Sequence, residues 1–208
     1  MLTAAGLAFA ALTASTTLDA LPLAVPPITI EVTAAYDIPR ALVDGALAEA
    51  HAIWRAAGVR LIWNRLPALI PATLQVFIGG GLSNPDAETR PLGWIVLDAA
   101  TTPAPKIYVS HANAVQLLLN SRAAVGSLER MPAAEREMYL ARAMGRALAH
   151  EIGHYLFGSK LHTRIGLMSA IHGATAFFGP TRATFRITTE QRQLIAARFT
   201  SLYIASRR

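Results

Sequence analysis

Residues 132–157, PAAEREMYLARAMGRALAHEIGHYLF, constrain the fold of this 208-residue chain more than any other segment. Alanine, leucine, methionine, glutamate and arginine dominate the segment, and these residues have high helix propensity. The next residue, Gly158, is of the type expected just beyond a helix C-terminus. The segment therefore predicts one long helix, and the last two turns of this helix contain the pattern His-Glu-x-x-His.

The rest of the chain from residue 27 divides into short strand-like and helix-like segments. Strands are predicted at ITIEVTAAY, VRLIWNR, TLQVFI, LGWIVLD and KIYVS. Helices are predicted at PRALVDGALAEAHAIWRAAG, HANAVQLLLNSR and TTEQRQLIAARFTSLY, the last of which opens with a Thr188-x-x-Gln191 capping box. We predict one α+β domain over residues 27–208, with a small twisted mixed sheet, a packed helix, the long helix and a C-terminal helix.

The composition narrows the possible functions. The chain contains no cysteine, which excludes disulfide scaffolds and thiolate zinc sites and leaves histidine, aspartate and glutamate as the good metal ligands. The net charge is +6, but the arginines are scattered singly and form no basic run. This distribution is typical of a solvated surface, so we expect no nucleic-acid partner. Nothing in the sequence indicates the oligomeric state.

The N-terminal segment differs from the rest of the chain. It has no charged residue before Asp19 and no basic residue before Arg40. Residues 4–14 resemble the apolar part of a secretory signal, without the basic residues that usually precede it. We interpret residues 1–26 as a leader or flexible lead-in and expect a periplasmic or secreted protein. No later segment is long and apolar enough to predict a membrane span.

The His-Glu-x-x-His pattern predicts a metal site. His150 and His154 are four residues apart on the predicted helix, so both imidazoles project from one face and can bind one ion. Glu151 is placed to reach a water on that ion; zinc lowers the pKa of such a water to about 7, and a carboxylate can accept its proton. Gly153 costs the helix about 1 kcal/mol relative to alanine, which indicates close packing of a neighbour at that position. We expect one catalytic zinc ion.

A catalytic zinc site needs a third protein ligand. His162 is the first candidate, because the glycine that ends the helix lets the chain turn back toward the metal. Glu190, at the start of the C-terminal helix, is the second candidate, and His172 is the third. We interpret His51 and His111 as surface or core residues.

The motif resembles that of the zincin metallopeptidases and, among them, the metzincins, whose pattern is H-E-x-x-H-x-x-G-x-x-H followed by a turn that contains methionine. In this chain the glycine comes one residue later and the last histidine two residues later, and the sequence GLM follows at 166–168. The order of strands and helices over about residues 28–205 is also similar. The resemblance implies the following roles: metal ligands His150, His154 and His162, general base Glu151, and Met168 as an apolar floor under the metal.

These patterns together predict a zinc metalloendopeptidase that hydrolyses internal peptide bonds of a peptide or protein substrate. The substrate is expected to lie extended along an edge strand beside the long helix, and LGWIVLD is the predicted edge. A zinc amidase of the deformylase kind takes a cysteine as its third ligand, which this chain does not contain. The alternative is a non-catalytic zincin-like binding module with a structural metal, but such a site has no need of Glu151.

Overall fold

The structure is a computed structural model that describes residues 25–65, 72–81, 90–97 and 105–205. Residues 1–24, which make up nearly all of the predicted leader, lie outside the described residues. No helix in the described ranges is both long and apolar enough to cross a membrane.

The described residues form five strands and six α-helices, which confirms the predicted α+β class and its mixed sheet. The strands are β1 (Ile28–Ala34), β2 (Leu61–Asn64), β3 (Leu74–Gly79), β4 (Gly93–Val96) and β5 (Lys106–Ser110). The helices are α1 (Arg40–Ala56), α2 (His111–Leu119), α3 (Arg122–Val125), α4 (Ala133–Phe157), α5 (Ala174–Phe178) and α6 (Thr189–Ala205), and a short 3₁₀ helix covers Ala183–Phe185. The sequence patterns did not predict α3, α5 or the 3₁₀ helix, which are all five residues or shorter.

The strands lie in the order β2-β1-β3-β5-β4. The first four of these strands are parallel to one another, and β4 pairs antiparallel with β5. Valine and isoleucine side chains of β1, β3 and β5 are buried in the core, as expected for parallel strands that are covered by helices. In the described sheet β4 is an edge strand, and α4 packs against it.

Helices α1 and α4 cross at unusually close range. A Cβ at Gly145 of α4 would lie 2.5 Å from the carbonyl oxygen of Ala46 on α1, so only glycine allows this approach. The indole nitrogen of the buried Trp54 donates a hydrogen bond of 3.0 Å to the carbonyl oxygen of Ala149. This bond holds α1 against α4 directly before the first histidine of the motif.

The C-terminus of α4 is capped by glycine and by an arginine from α6. Gly158 adopts the left-handed conformation predicted for a C-cap, with φ of 63°. Nη1 of Arg198 donates hydrogen bonds to the carbonyl oxygens of Tyr155 (2.7 Å) and Leu156 (3.0 Å). These bonds satisfy carbonyl groups that the helix itself leaves without partners. Helix α6 therefore stabilises the end of α4 at which the motif lies.

A buried ion network links α1, α4 and the segment before the 3₁₀ helix. Glu49 is 6% exposed and Arg146 is fully buried, and Nε of Arg146 lies 2.8 Å from Oε1 of Glu49. Nε of Arg182 donates to the other carboxylate oxygen at 2.9 Å. One carboxylate is thus shared by two guanidinium groups.

Replacing Glu49 with alanine is expected to lower the free energy of unfolding by about 3–5 kcal/mol, because Arg146 would keep a buried charge without its carboxylate. Urea unfolding followed by circular dichroism measures the change. Asp44→Ala is the matched control: Asp44 lies on the same helix but pairs with Arg65 at the surface, where an ion pair contributes at most about 1 kcal/mol. Equal losses in the two variants would contradict the role given to the buried pair.

Candidate metal centre

The structure brings His150, His154 and His162 together. Among the described residues they form the one group of three or more potential ligand side chains whose donor atoms all lie within 4.8 Å of one another. The Nε2 atoms of His150 and His154 are 3.0 Å apart, and the three ring centroids are separated by 4.7–5.2 Å. Two nitrogens bound to one tetrahedral zinc ion are about 3.3 Å apart, so the cluster has the dimensions of a metal site.

Backbone carbonyl groups orient two of these imidazoles. Nδ1 of His150 lies 2.8 Å from the carbonyl oxygen of Leu167, and Nδ1 of His154 lies 2.8 Å from that of Ser159. A ring nitrogen at this distance from a carbonyl oxygen carries the proton, which leaves the Nε2 lone pair free to bind a metal. The donor set of three imidazole nitrogens fits Zn²⁺.

Burial favours the neutral, metal-binding form of the two helix histidines. Desolvation lowers the pKa of His150 to about 4, and the hydrogen bond to Leu167 only partly opposes it. Desolvation also lowers the pKa of His154. Both rings are therefore neutral at pH 7, and no proton has to leave them before a cation binds.

Glu151 is buried beside the histidines, against the edge strand. Glu151 is 8% exposed. Burial raises the pKa of its carboxyl group to about 8, and the charge of Lys160 and a hydrogen bond from the backbone of Ile95 partly oppose this rise. A Cβ at Gly93 of β4 would lie 3.2 Å from Cγ of Glu151. Glycine at this position lets β4 approach the C-terminal half of α4, which carries the motif.

Met168 lies under the motif helix, at the position where Gly153 leaves room for it. A Cβ at Gly153 would be 2.2 Å from Sδ of Met168 and 3.5 Å from the Trp54 ring. Met168 is 2% exposed, and the preceding residue provides the carbonyl group that orients His150. The close packing predicted at Gly153 is thus the contact with Met168 and Trp54.

Gly153→Ala is expected to destabilise the protein by about 1–3 kcal/mol, because the added methyl group must displace Met168 from a packed core. Moving Met168 also shifts the carbonyl of Leu167, so we expect zinc affinity to fall about 10- to 100-fold. Urea unfolding of the metal-free protein and zinc titration measure the two effects. Gly173→Ala is the control, since a Cβ there meets nothing within 4 Å. Unchanged zinc affinity in Gly153→Ala would contradict the coupling.

The other candidate ligands lie elsewhere. Glu190 is exposed in the first turn of α6 and belongs neither to the histidine cluster nor to the cavity beside it. His172 is close to the site but outside the cluster: its ring stacks on Phe185 at 4.5 Å, and Nε2 lies 3.4 Å from the carbonyl oxygen of Leu167. His51 and His111 are half-buried on α1 and at the start of α2.

A cavity of about 700 Å³ opens beside the three histidines. The edge strand β4, helix α2, helix α4 and the segment around His172 supply its walls. The three histidines and Glu151 all line it, so a ligand in the cavity can reach the cluster. The chain therefore places a buried carboxyl group, three imidazoles that could hold a metal ion and an edge strand around one space.

The sequence patterns missed two features of this site. The carbonyl groups that orient the histidines are backbone atoms, so no residue type signals them. Arg146 lines the cavity as well, and its spacing was a usable signal. It precedes His150 by four residues, which places an arginine on the same helical face as the motif.

A scan against protein-family models found no match, and a search of the curated proteins found no similar sequence. The search of solved structures found a similarity to the crystal structure of archaemetzincin from Methanopyrus kandleri. The sequence identity is 15% and the TM-score is 0.48, and the alignment covers 84% of this chain and 96% of the archaemetzincin chain.

Proposed function

We propose that this protein is a zinc metallopeptidase that hydrolyses internal peptide bonds, with His150, His154 and His162 as ligands of one zinc ion. The observation that carries the proposal is the convergence of three imidazoles next to a buried glutamate in an open cavity. A purely structural zinc site is closed by four protein ligands, whereas a catalytic one has three and keeps one position open.

Zinc held by the three histidines would supply a Lewis acid for the scissile carbonyl group and would lower the pKa of the attacking water to near 7. The carboxylate of Glu151 would accept a proton from the attacking water and give it to the leaving amine. A general base works best when its pKa is close to the operating pH, and burial raises the pKa of Glu151 toward that range. Met168 holds the loop that orients His150, and so acts as a floor under the ligand cluster.

The substrate backbone is proposed to lie along β4. This strand borders the cavity through Gly93, Trp94 and Ile95, and it is an edge of the described sheet. An edge strand presents unpaired backbone groups, which can pair with an extended peptide. Peptide pairing at this edge would place the scissile bond close to Glu151.

The proposal is tested by zinc removal and restoration. The purified protein is expected to contain about one zinc per chain by elemental mass spectrometry. It should cleave an unstructured protein such as casein, lose this activity after treatment with a chelator, and regain it when stoichiometric zinc returns. Cleavage that survives complete zinc removal would contradict a metallopeptidase.

The second candidate function is a binding module with a structural metal. The three clustered histidines would serve such a module equally well, and a chain that retains zinc but cleaves no peptide in a broad library would favour it.

We propose separately that the leader-like residues 1–26 direct export from the cytoplasm. N-terminal sequencing of protein recovered from a periplasmic or culture fraction tests it.

A further inference from the structure

The described residues around the cavity carry an excess of positive charge. Arg90, Arg146 and Lys160 line it, and Glu151 is the one carboxylate among the described lining residues. A concave surface of this kind attracts anionic groups, because its walls are of low polarity and focus the field of the cations. The charge balance alone favours acidic ligands and does not say which cation binds them.

Arg146 is distinguished from the other two cations by burial and by an unsatisfied hydrogen-bond donor. Its side chain is fully buried, whereas Arg90 and Lys160 are exposed. Nε binds Glu49, and Nη1 binds the carbonyl oxygens of Ala176 and Phe177. Nη2 has no hydrogen-bond partner among the described residues. A buried charged donor without an acceptor is unfavourable, and a ligand that supplies an acceptor removes this penalty.

The charges around Arg146 do not balance within the described network. Glu49 is shared by Arg146 and Arg182, so one carboxylate faces two guanidinium groups. Arg142, a further cation nearby, donates to the carbonyl oxygen of Phe178. Glu137 is on the same helix but lines a neighbouring groove together with Arg142 and Arg182; Arg146 does not line that groove. One carboxylate therefore serves two guanidinium groups, and one of these two, that of Arg146, belongs to the cavity wall.

Arg146 lies on α4 about one helical turn before the first histidine of the metal centre. It precedes His150 by four residues on α4, so the two side chains lie on the same face and about 6 Å apart along the helix axis. Phe185 lies against the guanidinium group at 5.1 Å and stacks with His172, and Phe177 packs near both. Aromatic walls exclude water, which makes a single charge interaction there stronger than at the surface.

We propose that the cavity selects peptides with an aspartate or glutamate side chain next to the bond held at the metal centre, and that Nη2 of Arg146 donates a hydrogen bond to this carboxylate. The inference rests on the proposed peptidase function for the identity of the ligand as a peptide. The recognition itself depends only on the carboxylate and on Arg146, which is a specificity-determining residue and has no part in the proton transfer.

The test compares two peptides that differ only by glutamate or glutamine at one position. Mass spectrometry of digests of a mixed peptide library by the zinc-loaded protein locates that position, and if nothing is cleaved, affinity selection of the same library on zinc-loaded Glu151→Gln locates it. Rates of cleavage are then measured with the zinc-loaded wild type, and binding is measured by fluorescence anisotropy with zinc-loaded Glu151→Gln. We expect the glutamate peptide to be preferred about 10- to 100-fold in both measurements, as for a hydrogen bond to a charged group.

Two variants assign the preference to a side chain. Arg146→Lys keeps a positive charge beside Glu49 but removes Nη2, and we expect the glutamate preference to disappear. Arg90→Gln removes a cation of the same cavity at an exposed position and should leave the preference intact. If Arg146→Lys does not fold, the wild-type ratio for the two peptides still decides the inference.

The outcomes separate this inference from the proposed function. Cleavage of both peptides at equal rates would overturn the acidic specificity and leave the peptidase function standing. Tighter binding of the glutamate peptide without any cleavage would overturn the peptidase function and support the recognition. A preference that is lost in Arg90→Gln and kept in Arg146→Lys would overturn the role of Arg146.

Discussion

Glu151→Gln is expected to bind zinc as the wild type does and to lose peptide hydrolysis by about 10²- to 10⁴-fold, the usual contribution of a positioned general base. Glutamine has nearly the same shape as glutamate, so the packing against β4 is kept. It cannot accept the proton of the attacking water, because an amide is not a base near neutral pH. Rates of cleavage of one peptide by zinc-loaded wild type and variant measure the loss.

The zinc content of the variant is the control for this experiment, because a loss of metal would imitate a loss of the base. Equal zinc content with unchanged cleavage would contradict the role given to Glu151. If neither protein cleaved the peptide, the result would favour the binding-module function over the peptidase function. Glu135→Gln is a matched substitution at the opposite end of α4, 16 residues before Glu151 in the sequence. It is expected to leave cleavage unchanged.

The same variant also has a predictable effect on the stability of the metal-free protein. Burial raises the pKa of Glu151 to about 8 from its ordinary 4.5, so between these pH values the folded state retains a proton that the unfolded state has lost. Stability therefore falls as the pH rises from 4.5 through 8, by up to about 5 kcal/mol. Urea unfolding in chelator should show Glu151→Gln close to wild type at pH 4.5 and clearly more stable at pH 9.

His162→Ala is expected to lose zinc under dialysis against a weak chelator that leaves the wild type with about one ion per chain. His162 is exposed and lies beyond the end of α4, so its removal should disturb the fold little, and the metal would keep two imidazoles where a stable catalytic site has three protein ligands. Elemental mass spectrometry measures the zinc content. Peptide cleavage should fall in parallel.

Two matched variants accompany His162→Ala. His172→Ala removes a histidine that lines the cavity but lies outside the cluster, and Glu190→Ala removes the acidic candidate on α6. Both are expected to retain zinc. If His162→Ala keeps its zinc and one of these variants loses it, the three-histidine assignment is wrong and the ligand is the residue that was removed.

The longer helices, the strands and the pair His150 and His154 could be predicted because the sequence patterns that indicate them are local. A helix over 132–157 follows from the propensities of its own residues, and the pair His150 and His154 follows from helical geometry alone. Likewise, the capping box of Thr188 and Gln191 forms two hydrogen bonds between residues three apart. Each of these features involves residues within one or two helical turns of one another, so neighbouring residues determine it.

The rest of the site depends on contacts between distant segments. Glu49 and Arg146 are 97 residues apart, and nothing local to either residue indicates that they meet. The sequence predicted close packing at Gly153, but only the packed structure shows that Met168 and Trp54 fill the space. The orientation of His150 by the carbonyl group of Leu167 is invisible to sequence patterns, because every residue carries the same backbone group.

The α+β class, the long helix and the residues that indicate metal chemistry follow from local sequence patterns, since these features depend on propensity and on spacing along one element. The packing of distant segments brings His162 into the cluster and leaves Glu190 at the surface. The same packing makes β4 an edge of the described sheet and places Arg146, whose Nη2 has no hydrogen-bond partner among the described residues, in the cavity wall. Such features depend on how elements pack, and packing is a property of the whole chain.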